Sequence, residues 1–308
     1  MKEQSLIEYQ KRVNAAIDFM RLHLDRQVSL EELSEVAQLS KFHFSRVFKT
    51  LLGCSPGEYN QRLRLGRARY QLIFPREVFI NRIAYDLGFS STSSFSKSFK
   101  KSTQMSPSDW RMMYLNKYSK IGHHQQAEDK YFRSVLPKSS DMEQKNLFNC
   151  QVKELRDQHV VYLRNLSIHV HDAAGFETMF ETLFTWAKPK ELINFPETKA
   201  LTVYRSMPDE DGRVQADVCL TVPGQTRAEG PIGKTLIPGG KYVVLHKEGT
   251  MAECFQAWDY LYKEWLPESG YQPDSRGVFL NHLDTPKTHP RGLFVFEMWV
   301  SIQAAVRR

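Results

Sequence analysis

The spacing of apolar residues divides the chain into a helical part and a part rich in strands. Up to about residue 113, apolar side chains recur every three or four positions, which predicts a series of short amphipathic helices. From Cys150 onward they alternate with polar ones, which is typical of strands that bury one face. We therefore predict a multidomain chain: an all-α domain over residues 1–113, a polar linker over 114–147 and an α+β domain over 148–308.

Two stretches of the helical part, Ser40–Pro56 and Ser91–Pro107, repeat each other at a constant offset of 51 residues. Each starts with a capping-type residue and ends with Ser-Pro, so each predicts one short helix with clear ends. The repeat preserves polar outer residues as well as apolar inner ones, and core packing alone does not require that. The pairs include Phe44/Phe95, Ser45/Ser96, Phe48/Phe99 and Lys49/Lys100.

A further short helix precedes each of these stretches. Residues 29–39 begin with Ser29 as a cap and place Glu32 at the capping-box position. Residues 79–89 repeat the apolar spacing, and Gly88 suits a tight turn that needs a positive φ. Helix, short turn and second helix form a helix-turn-helix unit, which is therefore predicted twice. A longer helix over 55–73 joins the two helix-turn-helix units and would hold the recognition helices about 34 Å apart, the spacing of successive major grooves. We expect its arginines Arg62, Arg64, Arg67 and Arg69 to lie mostly on the outside, and Gly66 to pack closely against a neighbour.

The outward faces of the two predicted recognition helices carry side chains suited to reading DNA. Arg and Lys donate to guanine, Ser and Thr pair with either kind of base, and an apolar group contacts the thymine methyl. The aromatic ring of Phe42 would either make such a methyl contact or pack on the preceding helix. His43 would either reach a phosphate or remain solvated. The candidate DNA-contacting residues are Phe42, Ser45, Arg46, Lys49, Thr92, Ser93, Ser94, Ser96, Lys97, Lys100 and Lys101.

The distribution of charge supports a polyanion-binding front half. The formal net charge is +7, but residues 1–140 hold 23 Lys and Arg against 13 Asp and Glu, whereas the remainder holds 19 against 22. Several of the basic residues, including Arg111, are expected to neutralise phosphates and make binding salt-dependent. The four cysteines lie far apart without zinc or dithiol spacing, and no apolar run has the length of a membrane span. We expect a cytoplasmic protein with reduced thiols, no metal, no cofactor and no membrane contact.

The helix-turn-helix doublet resembles the DNA-binding domain of the AraC/XylS family of transcription regulators over about residues 6–111. One departure is Gln104, where the family usually has Gly. The resemblance implies a promoter-binding regulator that needs no partner copy, because both units lie on one chain. The residues that carry it include Leu33, Ala37, Phe44, Arg46, Phe48, Gly53, Pro56, Tyr59, Ile83, Ala84, Gly88, Phe95, Phe99, Lys100, Pro107, Trp110 and Arg111.

Within the second part, the pattern predicts a β-β-α-β-β unit that occurs twice. Two strands, the helix 172–187 and two more strands are followed by the same order around the helix 251–266. This part resembles the GyrI-like effector-binding domain over about residues 148–303, chiefly through Pro238–Tyr242, His246–Gly249, Trp265–Tyr271 and the closing strand 296–302. Such domains bind amphipathic, often cationic, small molecules in a pocket between the two halves.

A pocket of that kind needs aromatic walls and, for a cation, a carboxylate. The family often has a glutamate where this chain has Gly277, so a neutral or differently charged ligand stays open. Glu297 is the alternative carboxylate, and alternation along its strand leaves open whether it faces solvent. The aromatic candidates could equally be ordinary core residues. The candidate ligand-binding residues are Tyr162, Trp186, Tyr204, Phe279, Glu297 and Trp299.

The leading functional hypothesis is a transcription regulator, expected to be an activator, that binds double-stranded promoter DNA as a monomer and senses a small-molecule effector. RNA polymerase is the expected protein partner. Two alternatives concern the C-terminal domain, which could act as a small-molecule hydrolase or as a protein-interaction module. No Ser/His/Asp arrangement supports hydrolysis, so we expect a protein that is not an enzyme.

Overall fold

The computed structural model describes residues 3–73, 78–119, 148–206 and 212–304. The chain divides into two compact units. The first contains the helices up to residue 119 and the second contains the sheet, and each unit is described by itself.

In the part of the chain that the structure describes, the first unit has seven helices, which include the five predicted above. The predicted linker begins inside the last of them, because this helix continues to Ser119, and residues 120–147 lie outside the described residues. The helices are α1 (Glu3–Leu22), α2 (Leu30–Val36), α3 (Lys41–Leu52), α4 (Pro56–Gln71), α5 (Ile80–Asp86), α6 (Thr92–Thr103) and α7 (Pro107–Ser119).

The helix ends follow the capping signals of the sequence. Ser29 accepts a hydrogen bond from the N–H of Glu32, whose carboxylate accepts one from the N–H of Ser29, which completes the predicted capping box. Ser40 and Ser91 cap α3 and α6 through the side chain alone, and their hydroxyl oxygens accept hydrogen bonds from the N–H groups of His43 and Ser94. At the opposite ends Gly53 and Gln104 both adopt the left-handed conformation, with φ of 69° and 59°.

The core of the first unit follows the repeat. Phe44 and Phe48 of α3, and Phe95 and Phe99 of α6, are fully buried and pack as edge-to-face or tilted ring pairs. Between them, α4 contacts α3, α5 and α6, so both helix-turn-helix units of this part of the chain pack on one shared helix.

Two expectations about α4 are wrong. Arg64 was expected on the outside, but it is buried, donates from Nε to the carbonyl oxygen of Leu87 and lies 4.3 Å from the ring centroid of Phe89. Gly66 was expected to pack closely against a neighbour, but a Cβ there would meet no atom within 4 Å.

The second unit contains two β-β-α-β-β copies, as predicted. The first copy comprises β1 (Asn149–Leu155), β2 (Gln158–His169), α8 (Ala173–Ala187) with a 3₁₀ turn (Lys188–Lys190), β3 (Ala200–Tyr204) and β4 (Arg213–Thr221). The second comprises β5 (Gly233–Ile237), β6 (Gly240–Gly249), α9 (Met251–Tyr260) with a π-helical turn (Leu261–Trp265), α10 (Leu266–Glu268), β7 (Tyr271–Asp284) and β8 (Phe294–Ala304).

The eight strands of residues 149–304 that the structure describes join one sheet in the order β1-β6-β8-β7-β3-β4-β2-β5. The first strand of each copy therefore pairs with the second strand of the other, and β3 joins β7 at the centre in antiparallel register. Leu155 of edge strand β1 and Ile237 of edge strand β5 belong to the same buried cluster. The sheet therefore curls until both edges share one core.

Alternation along the strands gives the sheet two buried faces. The outer face packs against α9, the π-helical turn and α10 through a cluster that includes Val243, Leu261, Phe296, Met298 and Val300. The inner face carries a separate cluster of buried side chains, which we call the inner cluster. Its members are Leu155, Val160, Tyr162, Leu201, Val203, Cys219, Ile237, Tyr242, Val244, Phe279 and Trp299.

Candidate nucleic-acid interface and small-molecule site

The outward face of α3 presents one aromatic and two basic side chains to solvent. Phe42 is 89% exposed, so its ring does not pack on α2, and that alternative is excluded. Arg46 and Lys49 are exposed, and Ser45 is partly buried. Within the described residues, no hydrogen bond or ion pair involves the Arg46 guanidinium. This side chain is therefore available to an external acceptor.

His43 lies beside this face in contact with α1. Its ring stands edge-on to Tyr9, with 5.2 Å between the ring centroids. The two rings line a groove of about 260 Å³ together with Arg46, Val47, Thr50 and Leu51. His43 is therefore half-buried against Tyr9 rather than fully solvated.

The outward face of α6 is hydroxylic and basic. Ser93, Lys97, Lys100 and Lys101 are exposed, while Thr92, Ser94 and Ser96 are partly buried. The flank of the helix is fixed to α4 by side chains that were not among the candidates. Gln61 donates to the hydroxyl of Ser98 over 3.0 Å, and Arg69 donates to the hydroxyl and carbonyl of Ser102 over 3.0 and 3.3 Å.

Arg111 does not have the phosphate-binding role that its charge suggested. Its Nε donates to the carbonyl oxygen of Leu72 over 3.0 Å, and its Nη2 donates to that of Val78 over 2.6 Å. Burial lowers the pKa of its guanidinium. The side chain therefore connects the end of α4 to the start of α5 and supports the second helix-turn-helix unit. It does not contribute to the exposed outward face of α6.

Three of the aromatic candidates in the second unit lie together inside the inner cluster. Phe279 and Trp299 stack with 5.7 Å between centroids, and Tyr242 stands edge-on to both at 5.7 and 6.0 Å. Tyr162, Phe279 and Trp299 are 2%, 4% and 6% exposed. These rings form a packed core, with little surface left for a ligand.

Glu297 lies on the same face as Trp299 and does not point to solvent, since its side chain is 17% exposed. It accepts hydrogen bonds from Asn281 Nδ2 (3.1 Å), Trp299 Nε1 (3.0 Å) and Lys153 Nζ (3.2 Å). Burial opposes its ionisation, but these three donors outweigh burial and hold the pKa of Glu297 below its usual value. The carboxylate is thus charged and already neutralised by Lys153.

Basic side chains of the protein also occupy the faces of the inner aromatic rings. The ammonium groups of Lys153 and Lys199 lie 5.6 and 5.9 Å from the Trp299 ring centroid. The guanidinium of Arg164 lies 4.7 Å from the Tyr162 ring. The cation–π positions that a cationic ligand would use are therefore filled from within the chain.

The structure separates the other two aromatic candidates from this group. Trp186 lies on α8 beside Lys190, whose ammonium is 5.2 Å from the indole. Tyr204 stands edge-on to Trp258 of α9, which stacks on Tyr262 at 6.0 Å. We call Tyr204, Trp258 and Tyr262 the outer aromatic row. Its members are half-buried.

Trp258 and Tyr262 were not among the candidates predicted from the sequence. The equivalent pair in the first copy, Phe180 and Phe184, also stacks with 6.0 Å between ring centroids, and the two pairs align in sequence.

In the part of the chain that the structure describes, no group of three or more His, Cys, Asp or Glu residues could hold a metal ion. Among the described residues, Cys54, Cys150 and Cys219 form no disulfide bond, and burial raises the pKa of the Cys150 thiol to about 12. No described helix combines the length and hydropathy needed to cross a bilayer.

Fold and site together define a two-domain protein with a double helix-turn-helix unit and a duplicated α+β unit. Residues 148–303 match the GyrI-like small molecule binding domain, and residues 33–113 match a helix-turn-helix domain. The chain therefore belongs to the GyrI-like family and carries an AraC-type helix-turn-helix domain at its N-terminal side.

Similar proteins include regulators from several bacteria. The probable transcriptional regulator LumQ of Photobacterium leiognathi is 37% identical over 103 residues, which cover 33% of this chain and 41% of LumQ. The uncharacterized HTH-type transcriptional regulator YbfP of Bacillus subtilis (strain 168) is 35% identical over 103 residues, which cover 33% of this chain and 35% of YbfP. The chain thus spans less than half the length of these relatives.

A solved AraC-type transcriptional regulator from Chromobacterium violaceum is 29% identical, with a TM-score of 0.32. The match covers 33% of this chain and 91% of that one.

Proposed function

We propose that the chain is a sequence-specific DNA-binding transcription regulator whose activity responds to a small molecule bound by its C-terminal domain. The observation that carries this proposal is the pairing of two capped helices, α3 and α6, on one shared helix, α4. Each presents a polar and basic outward face with a fully buried apolar side behind it. That is the arrangement with which helix-turn-helix proteins enter the major groove.

Two recognition helices on one chain give a monomer both contacts that other regulators obtain by dimerisation. We therefore propose a monomer bound to a promoter, acting as an activator through RNA polymerase. The basic residues of α3 and α6 would add a salt-dependent share of the affinity through phosphate neutralisation.

A selection of binding sites from a random duplex library, followed by footprinting, tests the DNA-binding proposal with the full chain. We expect two protected segments on one face of the duplex, about one helical turn apart. The double variant R46A/K97A should lose the footprint and keep its fold, because both side chains are exposed. Failure to select any site, or protection of a single groove segment, would overturn the proposal.

For the effector we propose the outer aromatic row rather than the inner cluster. Half-buried rings such as Tyr204 and Trp258 offer flat apolar surface, whereas the inner rings are packed and their faces are occupied by Lys and Arg. Trp299, Phe279, Tyr162 and Glu297 would then support the sheet beneath the site. Trp186 would contribute nothing to it.

Isothermal titration calorimetry with two aromatic probes of opposite charge tests whether the effector binds at the outer aromatic row. The probes are the cation rhodamine 6G and the anion 8-anilinonaphthalene-1-sulfonate, so the same titrations show which ligand charge the site prefers. We expect Y204A and W258A to weaken binding of the preferred probe about tenfold, because stacked aromatic surface is lost. The matched control W186A, on α8, should bind as the wild type does. Unchanged binding by Y204A and W258A would show that the site lies elsewhere.

Effector and DNA binding would be coupled only if the effector has different affinities for two states of the protein. DNA affinity measured with and without the bound probe reports that coupling directly. By reciprocity, DNA must then change probe affinity by the same factor.

A further inference from the structure

The side chain of Arg276, on β7, covers part of the inner cluster. Its guanidinium carbon lies 4.9 Å from the ring centroid of Tyr242. Tyr242 is fully buried and stands edge-on to Phe279 and Trp299 inside the inner cluster. The guanidinium therefore takes the cation–π position on a ring of the inner aromatic group.

The donors of this guanidinium meet one carboxylate and three main-chain carbonyls. Nε and Nη2 donate to Oδ2 of Asp274 over 2.9 and 2.5 Å. Nη1 donates to the carbonyl oxygen of Gly239, and Nη2 also donates to those of Lys241 and Ile302 over 2.9 and 3.0 Å. A carboxylate for the charge, several acceptors for the planar fork and a ring face are what a site for a free guanidinium cation needs.

Asp274 supplies the negative charge of this site. Its side chain is 13% exposed, and that of Arg276 is 21% exposed. Burial opposes the ionisation of Asp274, but hydrogen bonds from Arg276 outweigh burial and hold the pKa of the carboxyl below its usual value. The pair is thus ionised and largely withdrawn from solvent.

The carbonyl acceptors are held in place by contacts that do not involve Arg276. The N–H of Gly239 donates to Oδ1 of Asp157 over 2.7 Å, which fixes the turn before β6. Lys241 lies in β6 where it pairs with β1, and Ile302 lies in β8 where it pairs with β7. The acceptors should therefore keep their positions when the Arg276 side chain is removed.

Two glycines provide the space and the backbone shape that the cation needs. A Cβ on Gly240 would overlap Nη1 of Arg276, so only glycine leaves room for the guanidinium. Gly277 follows Arg276 within the register shift between Pro273 and Val278, at a φ of 99°. A Cβ on Gly277 would meet no atom within 4 Å, so glycine serves there for its backbone conformation.

We propose that Arg276 is a built-in cation that fills a guanidinium-binding site on the inner cluster and so closes that site to external cations. The site consists of Asp274, the Tyr242 ring and the carbonyl groups of Gly239, Lys241 and Ile302. This inference goes beyond the proposed function, and it stands whether or not the effector binds at the outer aromatic row. Removal of the Arg276 side chain should turn the site into a receptor for a free guanidinium compound.

The variant R276A tests the proposal with ethylguanidinium, which has the structure of the part of the side chain that the substitution removes. Isothermal titration calorimetry of full-length R276A should give a dissociation constant on the order of 1 mM, an affinity within reach of so small a ligand. The thermal unfolding midpoint of R276A should rise with ethylguanidinium concentration. The wild type should bind no ethylguanidinium at the same concentrations, because its site is already filled.

Three controls assign the binding to this site and to its charge. Ethylurea has a similar planar shape without the charge, and it should bind R276A about tenfold more weakly or worse. The double variant R276A/D274N should weaken ethylguanidinium binding by a similar factor. R291A removes a guanidinium from an exposed pair with Glu248, and it should bind no ethylguanidinium.

Equal binding of ethylguanidinium by the wild type and R276A, or equal binding of ethylguanidinium and ethylurea by R276A, would overturn the proposal. If R276A is unfolded alone, circular dichroism with each compound provides the same test. Recovery of the fold in ethylguanidinium but not in ethylurea would support a guanidinium site. A chain that stays unfolded in both would show that Arg276 only ties the strands together. None of these outcomes affects the proposals for DNA binding or for the outer aromatic row.

Discussion

Gly88 lies directly against the backbone of Arg26, so that the turn of the second helix-turn-helix unit rests on the connection between α1 and α2. A Cβ on Gly88 would come within 2.7 Å of the Arg26 Cα and 2.8 Å of the Asp25 carbonyl oxygen. Gly88 also has a φ of +65°. The sequence signal for a turn glycine is confirmed, and the close approach adds a reason why only glycine fits at this point.

The variant G88A should destabilise the helical unit by about 3 kcal/mol or more, because it combines a left-handed backbone with a clash against main-chain atoms. Hydrogen exchange of peptides from residues 3–119 measures the loss. G53A is the matched control, since Gly53 has a φ of +69° with no atom within 4 Å of a Cβ. G53A should lower the free energy of unfolding by only about 1 kcal/mol. Equal losses in G88A and G53A would show that the close approach of Gly88 to Arg26 does not add to the cost.

Replacing Gln104 by glycine should stabilise the end of α6. Gln104 occupies the left-handed C-cap position that Gly53 occupies in the first copy, at a φ of 59°. Relief of the left-handed backbone outweighs the larger chain entropy of glycine, so Q104G should gain about 0.5–1 kcal/mol. Slower hydrogen exchange near the end of α6 in Q104G would show the gain in stability. The opposite substitution G53Q should speed up exchange near the end of α3. A loss of stability in Q104G would contradict the prediction.

The sequence predicts most of the helix and strand boundaries because their signals are local. Ser29, Ser40 and Ser91 cap the helices that their positions indicate. The sequence also predicts the duplicated second unit, since alternation and apolar spacing are properties of neighbouring residues.

Contacts between distant segments decided what the sequence could not predict. Arg64 was expected on the outside of its helix, but the carbonyl oxygen of Leu87, 23 residues away, provides a buried acceptor. Tyr204 and Trp299 were predicted to line one site, but both faces of the sheet are buried. Aromatic residues of one sheet can therefore belong to separate clusters. Alternation tells which residues share a face, and the choice of face needs the topology.

The buried Arg64 should contribute more to stability than its exposed neighbour on the same helix. Burial lowers the pKa of its guanidinium, which still donates to Leu87 and lies over Phe89. R64A should therefore lose about 2–3 kcal/mol, from a charge-assisted hydrogen bond and packing. R62A, on the exposed side of α4, should stay within about 0.5 kcal/mol of the wild type. Denaturant titrations of both variants compare their free energies of unfolding. Similar losses of stability in R64A and R62A would show that burial of Arg64 adds nothing.

His282 should make the sheet unit less stable in mild acid. Burial lowers the pKa of its imidazole to about 4, and the Nε2 atom lies 2.8 Å from the hydroxyl of Thr202. The unfolded chain, with an ordinary histidine pKa near 6.5, binds more protons between these values, so stability falls as the pH drops from about 6.5 towards 4. At pH 5 the loss from this residue should be about 2 kcal/mol.

The variant H282Q keeps a polar partner for Thr202 and removes the titration. Hydrogen exchange of peptides from residues 148–304, at pH 7 and pH 5, should show a smaller acid loss in H282Q than in the wild type. An identical loss in both proteins would assign the acid sensitivity to other groups.

Asp217 should be the most costly carboxylate to neutralise in the sheet unit. It is fully buried on β4 and accepts from Arg164 at 2.7 and 2.9 Å and from Arg205 at 2.7 Å. Burial alone would raise its pKa, but the two guanidinium groups outweigh burial and lower it. Because Arg164 is 1% exposed, D217N leaves a buried cation without its counter-charge. We expect D217N to lower the free energy of unfolding by about 3 kcal/mol or more in denaturant titration.

The exposed pair of Glu177 on α8 with Lys287 provides the control, and E177Q should change stability by less than about 0.5 kcal/mol. If D217N were as mild as E177Q, relaxation or water at Arg164 would have to replace the lost charge, and the buried pair would not hold β2 and β4 together.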